Sequence, residues 1–265
     1  FPNTKKITLQ NMFDSFLDIN LLYFIFLIIF LISGMVKGVT GIGLPMTSIT
    51  LLIFFINPLQ AIGLNMVPVI VANITQFLSA QSPLKTAKKY YLFGIFMVAG
   101  ILITSVQAAT LGDDLIKLLI GLMVMIFALD NLFRRSWSFD LKYDKYWQIG
   151  MGSLAGVVGG LTSIWGIPII IYLILRKASK EDFVDTTGFL FLIASVPATY
   201  GYYKTDVFSL EMIPIAALCA VTAIIGMRLG RIVRRRIDAD TFKKYLLLLF
   251  LLIGIRMIWS AMGGI

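Results

Sequence analysis

Long apolar runs separated by short charged stretches set the character of this chain. Runs of roughly 17 to 25 residues, each long enough to cross about 30 Å of hydrocarbon, cover Leu21 to Val36, Ala61 to Ala80, Tyr91 to Thr110, Leu115 to Phe133, Thr187 to Tyr203, Glu211 to Met227 and Tyr245 to Met262. The pattern predicts an all-α fold, a polytopic bundle of transmembrane helices. Two further regions, Gly41 to Ile56 and Ile149 to Leu175, are apolar but interrupted, as expected of helices that break inside a membrane.

The interruptions carry one motif twice, about 122 residues apart: Lys37-Gly38-Val39-Thr40-Gly41-Ile42-Gly43-Leu44-Pro45 and Gly159-Gly160-Leu161-Thr162-Ser163-Ile164-Trp165-Gly166-Ile167-Pro168. The second copy is one residue longer, and Trp165 reads as the insertion. Glycine at 38, 41, 43, 160 and 166 permits unusual backbone angles and a close approach of ligand. Pro45 and Pro168 suit the first turn of a helix leaving each break. Each tip would then point the positive end of a half-helix, with free N–H groups, toward the membrane centre, which makes an anion site without formal charge. Unpaired backbone at that depth needs protein or a wet cavity over it, so the tips should face each other across an internal pocket. The same small residues also serve close helix packing.

Composition agrees with a membrane protein: 58% hydrophobic and 14% charged residues, with a mean hydropathy of +0.90. The net charge of +9 comes from loop lysines and arginines, so positive-inside topology explains it and nucleic acid is not a partner. Seventeen Lys and Arg fall in four loops read as cytoplasmic, from Lys85 to Lys89, Arg134 to Lys145, Arg176 to Lys180 and Arg228 to Lys244, against four outside. That asymmetry predicts a multi-pass protein of the cell membrane with both termini outside. It also inverts the halves, because an odd number of crossings lies between the two broken hairpins. The expected organisation is an N-terminal tail over residues 1–18, without a cleavable signal pattern, and a first transmembrane repeat over 19–135. A cytoplasmic linker over 136–147 and a second, inverted repeat over 148–265 follow. Each repeat is a broken, re-entrant-like hairpin plus three crossings.

Histidine is absent and Cys219 is the only cysteine, which leaves no intrachain disulfide and no obvious metal or redox site. No P-loop, GxSxG, HExxH or CxxC occurs, so no catalytic residue, cofactor or ATP-driven step is expected. The polar side chains within apolar segments are the candidates for ligand binding. Lys37 lies inside the first motif while its counterpart, Gly159, is neutral; a buried lysine is costly and marks function by default, here an anion's charge partner, although it can also snorkel or satisfy hairpin carbonyls. Thr40, Thr162 and Ser163 offer hydroxyls to a ligand or to a helix carbonyl. Asn65, Asn73 and Gln76 in one span, and Thr187, Ser195 and Thr199 in its counterpart, share a helix face; they are read as pocket walls or as interhelical hydrogen-bonding groups. Trp165 is an apolar lid over the pocket or a packing residue. Asp130 and Arg256 lie near segment ends, where snorkelling is the favoured reading.

At these motifs the chain resembles the TauE/SafE family of membrane permeases, also called sulfite exporters. The match rests on Gly38 to Pro45, on its second copy from Gly160 to Pro168, on the length, and on the Leu111-Gly112 and Leu229-Gly230 segment ends. The family's usual first motif is richer in glycine, and Lys37 is a departure from it. The resemblance implies export of sulfite or small sulfonates such as sulfoacetate. The partners expected are a small anionic substrate, membrane lipids and, as an open option, a second copy in a homodimer. Two other readings stay open: a carrier or channel for another small anion or a cation, and a membrane assembly subunit that transports nothing.

Overall fold

The computed structural model describes the backbone of residues 9–78, 83–133, 141–233 and 239–263. Eleven α-helices occur there: α1 (Leu9–Thr40), α2 (Leu44–Leu52), α3 (Pro58–Phe77), α4 (Pro83–Lys89), α5 (Tyr91–Ser105), α6 (Asp113–Phe133), α7 (Asp144–Thr162), α8 (Gly166–Leu175), α9 (Lys180–Lys204), α10 (Ile213–Val233) and α11 (Ala239–Ala261). Among the described residues there is no strand, and six helices are long and apolar enough to cross a membrane. The all-helical, multi-span expectation holds.

Local chemistry sets the helix starts. The Asn57 side chain accepts a hydrogen bond from the Gln60 N–H at 2.9 Å, and Pro58 opens α3, where its missing donor costs nothing. Ser179 accepts from the Asp182 N–H at 3.1 Å and starts α9 seven residues before the apolar run at Thr187. α7 likewise begins at Asp144, inside the stretch expected to be linker. The basic loop after α3 contains a short helix, α4, where only a loop was expected. α1 starts at Leu9, so half of the expected tail is helical; residues 1–8, with Lys5 and Lys6, lie outside the described residues, as do Arg134, Arg135 and Arg234 to Arg236.

Packing is reciprocal between the halves. α1 packs along α10 while α7, its counterpart, packs along α5; α3 meets α9, and α6 meets α11. Small residues allow the close approaches. A Cβ on Gly34 or Gly38 would run into the α10 backbone at Ala223 or Met227, and one on Gly226 or Gly230 into α1 at Leu31 or Met35. On the other side Gly152 and Gly156 face the α5 backbone, where a Cβ on either would lie 2.6 Å from the Phe93 or Met97 carbonyl oxygen. In a bilayer, where burying apolar surface drives little association, backbone-to-backbone packing of this kind holds helices together.

The core runs between the hairpins, through Phe30, Leu44, Ile49, Ile62, Phe93, Trp165 and Tyr202. Outward faces stay apolar: Leu21, Phe24, Ile28 and Ile32 on α1, and Leu218, Val221, Ile225, Leu229 and Ile232 on α10, are exposed. Spaced three or four residues apart on long helices, they form a surface suited to hydrocarbon rather than water.

Candidate functional site: the paired helix breaks

Both hairpins break in the same way. α1 ends as the Gly41 N–H donates to the Lys37 carbonyl at 2.7 Å, and α7 ends as the Ser163 N–H donates to the Gly159 carbonyl at 2.8 Å. Gly41 (φ 82°) and Ser163 (φ 62°) are left-handed, the conformation that terminates a helix without further capping. Thr40 and Thr162 then reinforce the stop. Each hydroxyl donates to the carbonyl four residues back, Val36 or Val158, at 2.8 Å, and accepts from the N–H two residues on, Ile42 or Ile164, at 3.3 and 3.2 Å.

The next half-helices start uncapped. Gly43 precedes α2 with φ 93° and Trp165 precedes α8 with φ −76°, and neither supplies a side-chain cap. Trp165 therefore occupies the place of Gly43, and the extra residue of the second motif falls in the first turn of α8, not at Trp165. Residues of both starts, Gly43, Pro45 and Met46 from one and Gly166, Ile167 and Ile170 from the other, line one cavity together with Ile42, Ile164, Trp165, Phe127 and Phe191. Its volume is about 20 Å³, on the measure by which one water needs about 10–15 Å³. The two breaks thus meet, and their meeting place is narrow and walled by apolar side chains.

The polar candidates surround this cavity instead of lining it. Lys37, only 2% exposed, donates to Asn73 Oδ1 at 2.9 Å and lies 5.5 Å above the Phe191 ring. The Asn73 amide in turn donates to the Phe191 carbonyl at 3.1 Å, which ties α1, α3 and α9 at one point. No carboxylate among the described residues lies within ion-pair distance of Lys37. Asn65 Oδ1 accepts from the Ser48 hydroxyl of α2 at 2.7 Å, and the Asn65 amide nitrogen is buried without a partner. Gln76 Nε2 donates to Thr187 Oγ1 at 3.0 Å, while Thr187 and Ser195 spend their own protons on α9 carbonyls. Gly38 and Gly160 are taken up by packing on α10 and α5. The Ser163 hydroxyl is buried and unpartnered beside the second break.

A second polar cluster, absent from the sequence reading, joins the outer ends of α7 and α8. Asp144 accepts from Arg176 Nε at 2.9 Å and Nη2 at 3.2 Å, from the Tyr172 hydroxyl at 2.7 Å and from Gln148 at 2.9 Å. Arg176 reaches the Tyr90 hydroxyl at 3.3 Å, and Asp182 accepts from both Tyr90 and Lys89, at 2.7 and 2.6 Å. Burial pushes the Asp144 carboxyl up, but the hydrogen bonds from Arg176, Tyr172 and Gln148 outweigh it and hold the group below its ordinary value. Burial, followed by the Asp182 carboxylate, pushes the Tyr90 hydroxyl up.

Among the described residues, no group of three or more His, Cys, Asp or Glu side chains could hold a metal ion, and Cys219 is free and buried. No curated protein and no solved structure shows a significant match to the chain. Residues 25–257, nearly the whole bundle and both broken hairpins, match the sulfite exporter TauE/SafE family, so the chain belongs to that family of multi-pass membrane transporters of sulfur anions.

Proposed function

We propose that this protein exports small sulfur oxyanions, sulfite or an organosulfonate, across the cell membrane, binding them between the two half-helix starts. The observation that carries this reading is that two uncapped helix N-termini line a single cavity. Free N–H groups and the positive ends of two helix dipoles favour an anion there. Among the described residues of the two motifs, Lys37 adds the only formal charge; its ammonium has three donors and Asn73 takes one of them. Phe191 lines the cavity, and its ring lies 5.5 Å from the Lys37 ammonium, so a turn of that ring would bring the ammonium within reach of a bound anion. The reciprocal packing, together with loop charge, supports two inverted repeats with both termini outside.

At about 20 Å³ the cavity is closed to a four-atom anion, so transport requires the breaks to part. Anion efflux needs no further coupling. An inside-negative potential of 100 mV contributes roughly 2.3 kcal/mol per charge.

Proteoliposomes loaded separately with labelled sulfite, sulfoacetate and a monovalent cation test this. Sulfur-anion flux without cation flux is expected, and Lys37→Ala should reduce it at least about tenfold, the size of one lost charge-assisted hydrogen bond. Cation flux, or sulfonate flux unchanged in both Lys37→Ala and Thr162→Ala, would overturn the site.

A further inference from the structure

A groove of about 530 Å³ runs down the outer surface between α5 and α9, far larger than the cavity at the breaks. Its α4–α5 wall is Ala87, Tyr91, Gly94, Val98 and Leu102, successive positions three or four apart, and its α9 wall is Phe189 and Ile193. Apart from the Tyr91 hydroxyl every one of these side chains is apolar. Gly94 lets α5 come close to α9, since a Cβ there would stand 2.9 Å from Ile193 Cδ1. From Tyr91 to Leu102 the groove descends about 16 Å at 1.5 Å per residue, close to half of a hydrocarbon core of about 30 Å.

Among the described residues of α4 and α5, the cations lie on α4, at the end of the groove that Ala87 lines. Lys85 and Lys88, three apart on α4, are exposed and make no contact with an acid among the described residues, whereas the neighbouring Lys89 is committed to Asp182. Tyr91, half-exposed at the mouth, has the amphipathic form that favours the lipid headgroup level. A leaflet-deep apolar slot beneath two free lysines matches one molecule: an acyl chain below an anionic headgroup. We propose that the α5–α9 groove binds an anionic phospholipid, one chain in the slot and its phosphate on Lys85 and Lys88. Loop charge places this end on the cytoplasmic side, where anionic lipids attract lysines by about fivefold in binding each.

The test is lipid retention by the full-length protein, reconstituted with equal phosphatidylglycerol and phosphatidylcholine, extracted in mild detergent and weighed by native mass spectrometry. Wild type should keep phosphatidylglycerol about 25-fold over phosphatidylcholine, and Lys85→Gln/Lys88→Gln should lose that preference while still retaining lipid. Val98→Trp, which fills the slot, should reduce retention of both lipids, and Ala99→Leu gives the same reading if the tryptophan variant does not fold. Equal retention of the two lipids by wild type, or a preference unchanged in the double lysine variant, overturns the proposal. So does a lipid-free dimer mass that Val98→Trp converts to monomer, which would assign the groove to a second copy. Sulfite flux is not read in any arm, so failure here leaves the transport proposal untouched.

Discussion

At the scale of single residues, the two breaks are alike in backbone and opposite in side chain. Where the first has Lys37 and Gly43, the second has Gly159 and Trp165. The exchange is physical: a Cβ on Gly159 would lie 2.5 Å from Trp165 Cβ and 3.0 Å from its Cα, so the start of α8 packs against the position that carries the lysine in the other half. Gly159→Ala should therefore lower stability by about 1–3 kcal/mol, seen as earlier thermal unfolding in detergent, and Trp165→Gly should relieve part of that loss. Gly43→Ala meets nothing closer than 3.6 Å; its cost is the left-handed backbone, about 1–2 kcal/mol, and Trp165→Gly should not relieve it. Equal relief of both would mean that contact with the Trp165 Cβ is not the cause at Gly159.

Among elements, the hairpins differ in how their outer ends are fastened. Asp144 and Arg176 close the second hairpin and connect it through Tyr90 to Asp182 on α9, whereas Arg256 of α11 stacks 4.3 Å from the Phe54 ring beyond α2. A carboxyl held below its unfolded value stabilises the fold above that value, near pH 4, and the contribution is lost as pH falls through the folded value. The hairpin should therefore loosen on acidification below pH 4, and Asp144→Asn should flatten that acid limb while lowering stability near pH 7 by about 1–3 kcal/mol. A thermal-unfolding series from pH 7 to pH 2.5 on both proteins measures it; parallel curves would remove Asp144 as the group responsible. This network was not legible in the sequence, because Tyr90, Asp144, Arg176 and Asp182 come together only through the packing of α4, α7, α8 and α9. The breaks were legible: Thr40-Gly41 and Thr162-Ser163 stop their helices by bonds within four residues. The α9 start was half-legible. Ser179 and Asp182 are three apart, as a capping pair requires, yet Lys180 to Asp182 look like loop until the cap is seen. Asn65, Asn73 and Gln76 were recognisable as one polar face, but their partners on α1, α2 and α9 depend on helix order.

For the whole molecule, the packing decides which parts can move as units. The closest contacts, α1 on α10 and α5 on α7, each join a hairpin of one half to a helix of the other. Helices in backbone contact cannot slide without lifting apart, so a motion of one sequence repeat against the other would have to separate both pairs. The units that the glycines favour are α1, α2 and α10 against α5, α7 and α8, meeting at the cavity between the breaks. Opening that cavity then separates the apolar side chains around it, Ile42, Ile164, Trp165 and Phe191 among them. Alternating access on this plan is hinged at the breaks and leaves the glycine-packed pairs intact. In a Cys219→Ala background, Ile42→Cys and Ile164→Cys joined by a short reducible cross-linker should stop sulfite flux in proteoliposomes, and reduction should restore it. Gly226→Leu, which forces α1 from α10, should instead destabilise the protein with no recovery on reduction. Full flux through the cross-linked pair would mean that the breaks stay together during transport, and the anion would have to pass elsewhere in the bundle.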